Sequence, residues 1–441
     1  MNKYLNKFLF YYPATALKGE RVRKYLQKYQ EFEKLSQNGV ADYQLCHFNN
    51  LVGHAKNHSD FYAKSLKNAS SIKCLSELSE LPYVTKETLK YNASEIQTNA
   101  HKWPVSYKTT GGSTGQAVTI AKNVDALARE RAATWRGYSW AGVDIGDPQA
   151  RFWGVPLQSI SGFKYRAIDL IANRKRYSAF SINDESLYSY FQSINKFKPA
   201  YLYGYASFIH EFSQFLKKKD LKLCDSVKAI ITTSEVLTDN MRKDIESVTS
   251  LRVYNEYGCG EVGSIAHECE HGSLHVMSDN LIVEIDAPKG EPGEIIVTDL
   301  FNYAMPLIRY RLGDFATLSN SECQCGRPFP IIEKVHGRAY DLLLRRDETK
   351  MHPEIAMYIF EEFKYKYNAV DQFQLIQQTS SQITINLVVN QSYNKILHED
   401  YFTSEFNKVF NGKMSYIFNY TNNIAREKSG KLRLIKSELT F

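Results

Sequence analysis

The sequence predicts an α/β protein with a large N-terminal domain and a small α+β C-terminal domain. At 441 residues, the chain exceeds what one hydrophobic core usually organises. Short apolar runs such as "VKAIITTS" and "LIVEI" alternate with helical stretches such as "DNMRKDIESV". After Gly337 the pattern changes to a basic turn, an aromatic-rich helix "EIAMYIFEEF" and strands such as "QITINLVV". We therefore predict a large domain over residues 1–337 and a small one over residues 338–441.

The individual elements follow from local patterns. Residues 18–90 are predicted to be helical, because "ERVRKYLQKYQEFEKL" repeats apolar and aromatic residues at helical spacing. "AVTIA" predicts a strand, followed by a helix that begins near Asn123. "LIVEIDAPKGEPGEIIVTDL" predicts two strands joined by a turn rich in proline and glycine.

Composition restricts the classes of partner. The chain is 43% hydrophobic and 23% charged, as expected of a globular protein, and its net charge of +7 suits an anionic substrate. That charge is too diffuse to predict nucleic-acid binding. No apolar run is long enough for a transmembrane segment, and we interpret the start of the chain as part of the mature protein, with a membrane-surface role for "FLFYYP" as the alternative. Seven unevenly spaced cysteines favour a reducing compartment, so we predict the cytoplasm.

The stretch "TTGGSTGQ" at residues 109–116 combines three glycines with four hydroxyl side chains. Glycines allow backbone N–H groups to converge on an anion and hydroxyls add donors, so the loop predicts phosphate binding. A Walker-type loop is excluded, because Gln116 follows Gly115 where that motif requires Lys-Ser/Thr. A flexible linker is the alternative.

Six segments together resemble a known family. They are "TTGGSTGQAV", "TTSEVL", "NEYGCGEVG", "RYRLGDFA", "VHGRAYDLL" and "REKSGKLR", in this order along the chain. This set resembles the adenylate-forming (ANL) superfamily, in its phenylacetate–CoA ligase and CapK-like branch, from about residue 45 to the C-terminus. The resemblance implies an ATP- and Mg²⁺-dependent ligase that converts a carboxylic acid into an acyl-adenylate. It also implies that the small domain is a mobile lid.

The resemblance assigns roles to individual residues. The ATP-binding set is Thr109, Thr110, Gly111, Gly112, Ser113, Thr114, Gly115, Ser234, Glu235, Glu256, Tyr257, Gly258, Cys259, Glu261, Arg311, Asp314 and Arg338. Within it, Glu261 is the expected Mg²⁺ ligand. Asp314, which is predicted to follow a glycine turn after a strand, is the expected ribose acceptor, with Arg311 as its charge partner. Arg338 and Asp341 are the expected hinge. The catalytic residues are Lys431, Glu261 and Thr110, although Gly260 stands where the family usually has a hydroxyl residue.

Two further sets were identified from their residue types. Tyr203, Gly204 and Tyr205 are candidates for the acid-binding pocket, with ordinary core packing as the alternative. The metal candidates are Cys269, His275, Cys323 and Cys325, because three thiolates and an imidazole complete a tetrahedral structural zinc site. His271 is a rival ligand, and free, partly buried cysteines are the alternative. Cys259 lacks a candidate base in sequence, which disfavours a role as nucleophile.

The acceptor of the acyl group is less determined. Coenzyme-A-using members of the family usually follow the hinge with Arg-Gly, whereas this chain has "LLLRRDETKMHPEI", with Arg345 and Arg346 but no glycine. We therefore favour transfer to an amine or hydroxyl acceptor, in the polysaccharide synthesis that the CapK-like resemblance implies. Formation of a coenzyme A thioester is the runner-up. A non-catalytic nucleotide-binding scaffold is a third alternative, which Lys431 disfavours. The oligomeric state is open.

Overall fold

The structure is a computed structural model of the chain. It describes residues 2–69, 71–100, 105–109, 118–153, 163–179, 183–235, 237, 239–335, 343–351, 354–422, 424 and 434–439. No helix among these residues is both long enough and apolar enough to cross a membrane.

The helices cover the N-terminal hundred residues and the connections between strands. They are α1 (Lys3–Leu5), a π-helical turn (Asn6–Tyr11), α2 (Tyr12–Leu17), α3 (Val22–Phe32), α4 (Gln37–His58), α5 (Asp60–Ser65), a 3₁₀ turn (Leu75–Glu80), α6 (Lys86–Ile96), α7 (Val124–Trp140), α8 (Phe163–Ile171), α9 (Asp184–Phe197), α10 (Ala206–Lys218), α11 (Asp239–Thr249), α12 (Glu354–Tyr367) and α13 (Lys395–Val409). The prediction of helices between residues 18 and 90 agrees with α3 to α6.

The strands form four sheets. They are β1 (Val105–Thr109), β2 (Thr119–Asn123), β3 (Gln149–Trp153), β4 (Arg174–Ser178), β5 (Tyr201–Tyr205), β6 (Ala229–Thr233), β7 (Val253–Cys259), β8 (Gly263–Glu268), β9 (Leu274–Val276), β10 (Leu281–Asp286), β11 (Gly293–Asp299), β12 (Tyr310–Leu318), β13 (Ile331–Val335), β14 (Leu343–Leu344), β15 (Lys350–Met351), β16 (Val370–Thr379), β17 (Gln382–Val389), β18 (Ser415–Tyr420) and β19 (Ile435–Ser437). The predicted hairpin is β10–β11, whose strands pair antiparallel.

The largest sheet has eleven strands in the order β10-β11-β12-β13-β9-β8-β7-β6-β5-β3-β4. Strands β4, β3, β5, β6 and β7 are parallel, and pairing becomes antiparallel from β7 to β8 onward. The central parallel strands β5 and β6 are buried along their whole length, as expected where helices cover both faces of a sheet. β1 and β2 form a separate antiparallel hairpin that carries the glycine-rich loop between its strands.

The C-terminal residues have their own sheet and their own hydrophobic cluster. Strands β18-β17-β16-β19 form this sheet, against which α12 and α13 pack aromatic side chains such as Phe360, Phe363 and Phe402. The cluster contains residues from Leu343 to Ile435. The α/β class is confirmed. The predicted boundary at residues 338–341 lies outside the described part of the chain and stays a prediction.

Candidate nucleotide-binding and acyl-activation site

The carboxyl ends of β6 and β7 bring two predicted nucleotide-binding segments together. Thr233 pairs with Glu256 in the parallel β6–β7 register, so Ser234 and Glu235 emerge level with Tyr257. Ser234 has a φ of 68°, a left-handed conformation that non-glycine residues adopt uncommonly. In open α/β sheets, ligands bind beyond this edge of the strands. These residues therefore lie at the edge where such sheets bind ligands, and their nucleotide contacts stay a prediction.

Tyr257 and Asp314 are joined directly, although they are far apart in sequence. The Tyr257 hydroxyl donates a hydrogen bond to Asp314 Oδ2 over 2.9 Å. The sequence predicted that Asp314 follows a strand, and this was wrong: Asp314 lies within β12. The β11–β12 pairing is interrupted there, with Gly313 at a φ of 76°. This bulge turns the Asp314 carboxylate toward β7 without ending the strand.

Arg311 forms ion pairs with the neighbouring hairpin. Its guanidinium contacts the carboxylates of Asp286 and Glu294, the latter at 2.9 Å. It also lies 4.5 Å from the ring centroid of Tyr83. These ion pairs join β12 to the β10–β11 hairpin three residues before Asp314. The predicted role of Arg311 as the charge partner of Asp314 stays a prediction.

Glu261 lies in the turn between β7 and β8 and is buried. Its carboxylate accepts a hydrogen bond from the Tyr310 hydroxyl at 3.4 Å, and Lys86 Nζ lies 4.0 Å away. Mg²⁺ in phosphate-binding sites commonly takes one or two carboxylates, together with water and phosphate oxygens. The single carboxylate of Glu261 fits that requirement. Sequence reasoning missed Lys86, which has no motif of its own and meets Glu261 only through folding.

Glu256 faces the opposite side of β7 from Tyr257. Its carboxylate accepts hydrogen bonds from Ser264 at 2.7 Å and from Tyr138 at 3.1 Å, and His267 Nε2 lies 3.8 Å away. Adjacent strand residues point to opposite faces. The predicted nucleotide contact of Glu256 is therefore corrected to a contact with α7 and β8 inside the domain.

Cys259 and Gly258 end β7. Gly258 pairs with Ser264 across the turn, and Cys259 pairs with Gly263. Burial, reinforced by the negative charge of Glu261, raises the pKa of the Cys259 thiol well above its usual range. A protonated thiol is a poor nucleophile, so the structure agrees with the expectation that Cys259 does not form a covalent intermediate.

The hairpin of the glycine-rich loop is held by a buried ion network that the sequence did not predict. Thr109 ends β1, and its hydroxyl lies 3.1 Å from that of Thr119 on β2. Residues 110–117, which include Thr110 and the glycines, lie outside the described residues. Below the loop, Glu130 of α7 contacts Lys108 on β1, and it accepts a 2.8 Å hydrogen bond from Lys122 on β2.

The same ion network extends from the loop hairpin to β11 of the large sheet. Lys122 is 1% exposed and lies 3.8 Å from Asp299 of β11. Burial opposes ionisation of Glu130, but the charges of Lys122 and Lys108 lower its pKa to about 2. Glu130 therefore remains a carboxylate and ties both strands of the hairpin to α7. A Glu at the seventh position of a helix gives no sequence signal for this role.

Tyr203 and Tyr205 of β5 are buried among aromatic side chains. Trp153 stacks on both rings, at centroid distances of 5.9 and 4.8 Å. Gly204 has no room for a side chain, because a Cβ atom would lie 2.7 Å from the Phe152 carbonyl oxygen. Packing thus accounts for the glycine. The role of the two tyrosines in the acid pocket stays a prediction.

The four predicted zinc ligands converge at one place. Their ligand atoms (Cys269, His275, Cys323 and Cys325) all lie within 4.8 Å of one another. Cys269 follows β8, His275 lies in β9, and the other two cysteines lie between β12 and β13. β9 pairs with β13, which places the β12–β13 connection beside the β8–β9 turn. The cluster therefore joins two segments that flank the β10–β11 hairpin in sequence.

The orientation of His275 suits a metal ligand. Its Nδ1 lies 3.3 Å from the Phe329 carbonyl oxygen, and its Nε2 lies 3.2 Å from Cys325 Sγ. Burial lowers the pKa of His275 to about 4, so the imidazole is neutral. A neutral ring that donates Nδ1–H to a carbonyl presents Nε2 as a ligand. The donor set and its geometry fit zinc.

Besides Thr110 and the other loop residues, three predicted functional residues lie outside the described part of the chain. Arg338 and Asp341 of the expected hinge and Lys431 of the expected catalytic motif lie outside the described residues. Their assignment stays a prediction from the resemblance.

Comparisons with known proteins show what the chain is similar to. The family model of the CapK C-terminal domain matches residues 345–438. Protein CapK of Staphylococcus aureus is 27% identical over 92% of this chain and 91% of its own length. Phenylacetate-coenzyme A ligase of Pseudomonas putida is 22% identical over 71% and 74% of the two chains. Indoleacetate–lysine synthetase of Pseudomonas savastanoi is 29% identical over 40% and 43%.

Solved structures share the fold. A 2-hydroxyisobutyryl-CoA ligase crystallised with its acyl-adenylate and CoA aligns with a TM-score of 0.58, at 17% identity, over 90% of each chain. The phenylacetate-coenzyme A ligase relatives indicate an ATP-dependent, AMP-forming ligase. Within that class, the chain is similar to the CapK and phenylacetate–CoA ligase-like branch of the adenylate-forming enzymes.

Proposed function

We propose that this protein activates a small carboxylic acid with ATP and transfers the acyl group to an amine or hydroxyl acceptor. In the first step, a carboxylate oxygen attacks the α-phosphorus and pyrophosphate leaves, which gives an acyl-adenylate. In the second step, the acceptor attacks the acyl carbon, AMP leaves and the acceptor loses a proton. Both steps depend on positioning and on neutralising phosphate charge, the contributions that the site offers.

The observation that carries this proposal is the hydrogen bond between Tyr257 and Asp314. It places an aromatic surface beside a carboxylate at the carboxyl edge of the parallel strands, level with Ser234. A purine ring and the ribose hydroxyls of one adenosine would use these two groups together. Glu261, at the next turn, is the residue that would hold Mg²⁺, which when bound neutralises phosphate charge.

The turn after the proposed hinge supports a non-thioester acceptor. Arg345 is buried, and its Nε donates a 2.8 Å hydrogen bond to the Val409 carbonyl. Asp347 accepts hydrogen bonds from the Thr349 amide and hydroxyl within the same turn. Arg345 and Asp347, which belong to the charged stretch where the family usually has Arg-Gly, thus form their hydrogen bonds with other residues of the C-terminal region. One relative is named indoleacetate–lysine synthetase, a name that describes the joining of an acid to an amine. This similarity favours an amine acceptor.

The acceptor is tested by trapping and competition. Once an acid has been found by pyrophosphate exchange over an acid library, hydroxylamine is expected to trap the adenylate. Coenzyme A is expected to raise AMP release only slightly. Strong stimulation by coenzyme A, with a recovered thioester, would establish the runner-up function. No exchange with any acid, despite ATP binding, would favour the nucleotide-binding scaffold.

The chemistry is assigned to Lys431, whose ammonium group would bridge the attacking carboxylate and the α-phosphate. Lys431→Ala is expected to lower the adenylation rate by about 10² or more, while transfer from supplied acyl-adenylate stays nearly normal. Lys428→Ala is the matched control and is expected to change neither step. Equal loss of both half-reactions in Lys431→Ala would contradict a small domain that rotates about residues 338–341.

We also propose that the protein works in polysaccharide synthesis in the cytoplasm. Its similarity to protein CapK and its seven unevenly spaced cysteines support this proposal.

We further propose that the Cys/His cluster binds a structural zinc ion. Elemental analysis of protein purified without chelator is expected to give about one zinc per chain. Cys323→Ser is expected to lower stability before it changes nucleotide affinity, and Cys224→Ser, outside the cluster, is the control. Metal-free wild-type protein of normal stability would refute the zinc site.

A further inference from the structure

The first seventeen residues expose apolar side chains that the proposed chemistry does not use. Tyr4, Leu5, Phe8 and Leu9 are 59%, 53%, 47% and 63% exposed. Their spacing of one and four residues places them on one side of the helical segment that runs through α1 and the π-helical turn. We call these four side chains the N-terminal apolar ridge.

The ridge stands on a well-anchored segment. The opposite side of the segment carries buried Asn6, whose amide donates two 3.1 Å hydrogen bonds to the Leu170 and Ile171 carbonyls at the end of α8. Lys7 forms a 2.8 Å ion pair with Asp144. The hydroxyl of Tyr11, which is also buried, accepts a 2.7 Å hydrogen bond from Trp135. The exposed side chains therefore belong to a fixed surface and not to a frayed end.

Positive charge surrounds the ridge. Residues 2–19 contain three lysines and no acid, and the first acid, Glu20, is buried and paired with Arg131 at 2.6 Å. The guanidinium of Arg23 lies 5.9 Å from the Phe8 ring, which brings the exposed side of α3 beside the ridge. Lys24 and Lys28 are exposed on that helix. Exposed apolar and aromatic residues bordered by cations are the pattern of a helix that lies in a membrane interface.

We propose that the N-terminal apolar ridge docks the protein on the surface of an anionic lipid bilayer. The four side chains enter the boundary between headgroups and acyl chains, and the cations of α3 face the lipid phosphates. The ridge is one helix wide. A second copy of this chain would need a broad complementary surface of about 800 Å² on each partner, which a single narrow ridge does not offer.

The chain contains a matched control. Ile396 and Leu397 are 79% and 52% exposed on α13, so together they are about as exposed as the pair Leu5 and Leu9 of the ridge. Their neighbours Glu399 and Asp400 are acidic, unlike those of the ridge. Apolar exposure alone would make both surfaces bind lipid, whereas the proposal requires exposure together with positive charge.

The test is flotation of the full chain with phosphatidylcholine vesicles, with and without about 30% phosphatidylglycerol. Wild type is expected to float only with the anionic vesicles, and less so as salt rises. Leu5→Ser/Leu9→Ser is expected to weaken binding by about tenfold or more, because two leucines no longer enter the interface. Ile396→Ser/Leu397→Ser is expected to bind as wild type, and Lys24→Gln/Lys28→Gln to bind more weakly with a smaller salt dependence.

Each variant is expected to fold, because the substituted side chains are exposed. Thermal unfolding and pyrophosphate exchange check this. Failure of wild type to float with anionic vesicles at low salt would overturn the proposal. Equal loss in the ridge and control variants would do so as well. A wild-type dimer that Leu5→Ser/Leu9→Ser converts to monomer would assign the ridge to a second copy instead.

Discussion

The eleven-stranded part of the molecule encloses charged side chains, whereas the interior of residues 343–435 is mainly aromatic and aliphatic. In the former, Lys122, Arg136 and Asp279 are at most 1% exposed and are paired with one another or with neighbours. In the latter, the Phe360 and Phe373 rings stack at 3.8 Å. Its buried polar side chains, among the described residues, are Arg345, Gln377, Thr384 and His398.

The two interiors differ in how strictly they specify one structure. A buried ion pair adds little net stability compared with apolar residues of the same shape, but it strongly penalises any structure in which the pair is broken. The buried ion pairs of the eleven-stranded part therefore hold its helices and strands in one arrangement. Apolar packing tolerates volume-conserving changes more readily. The predictions below test this contrast through stability, pH and nucleotide affinity.

The largest effect is expected from Arg136→Met. Arg136 Nη2 donates a 2.6 Å hydrogen bond to Asp279 Oδ1, and both side chains are fully buried. Removal of the cation leaves a buried carboxylate whose pKa burial already raises, so the free energy of unfolding should fall by about 3–5 kcal/mol. Denaturant unfolding measures this. Arg136→Met/Asp279→Leu should recover a large part of the loss, and no recovery would show that the pair is not the cause.

A smaller, pH-dependent effect is expected from Glu130→Gln. The folded pKa of Glu130 is about 2, below its ordinary 4.5, so ionisation stabilises the fold above pH 4.5 and this contribution disappears as pH falls through 2. The variant should lose about 3 kcal/mol near neutral pH, and the difference from wild type should shrink in acid. Urea unfolding at about pH 7 and pH 3 compares the two. A constant difference would contradict the ion network.

Phe402→Leu should produce a loss without a pH dependence. Phe402 is fully buried between α12 and α13, where its ring lies 4.4 Å from that of Phe363. Leucine keeps the site apolar but fills less of it, which should cost about 1 kcal/mol. The loss should be the same at both pH values used for Glu130→Gln. A loss that changes between them would remove the contrast between the two interiors.

The smallest effect is expected from Tyr257→Phe. The change removes the hydroxyl that donates to Asp314 Oδ2, a bond worth about 1 kcal/mol, while it keeps the aromatic ring. ATP affinity measured by calorimetry should fall about fivefold, because Asp314 loses its fixed orientation. Tyr254→Phe, three residues earlier on β7, is the control and should bind ATP as wild type does. Equal weakening in both variants would show a general disturbance of the strand.

Local patterns predicted much of the fold. Alternation of apolar runs and helices identified the α/β class, and the turn residues of "DAPKGEPG" identified the β10–β11 hairpin. The convergence of the Cys/His set was also predicted, because its residue types suit one metal ion even though its two segments are 54 residues apart. The class and the hairpin share one property: the residues that specify them are close together in sequence.

Features that depend on distant contacts were missed. The position of Asp314 within β12 results from an interrupted register with β11, which no turn signal announces. The inward direction of Glu256 depends on where α7 packs. Lys86 and Glu130 gain their roles only when folding brings Glu261, or Lys108 and Lys122, beside them. In sequence, a charged helix residue that faces water cannot be distinguished from one that faces a buried partner.

Gly263 limits how this protein can change through mutation. A Cβ atom there would lie 2.4 Å from Cγ of Glu130, so even alanine would displace the side chain that binds both strands of the loop hairpin. A larger residue in place of Gly263 would therefore require a compensating change at Glu130 of α7. By contrast, the turn at residues 287–292, between β10 and β11, is largely exposed. Insertions should accumulate there, at the far edge of the sheet, while the turn beside Glu261 keeps its length.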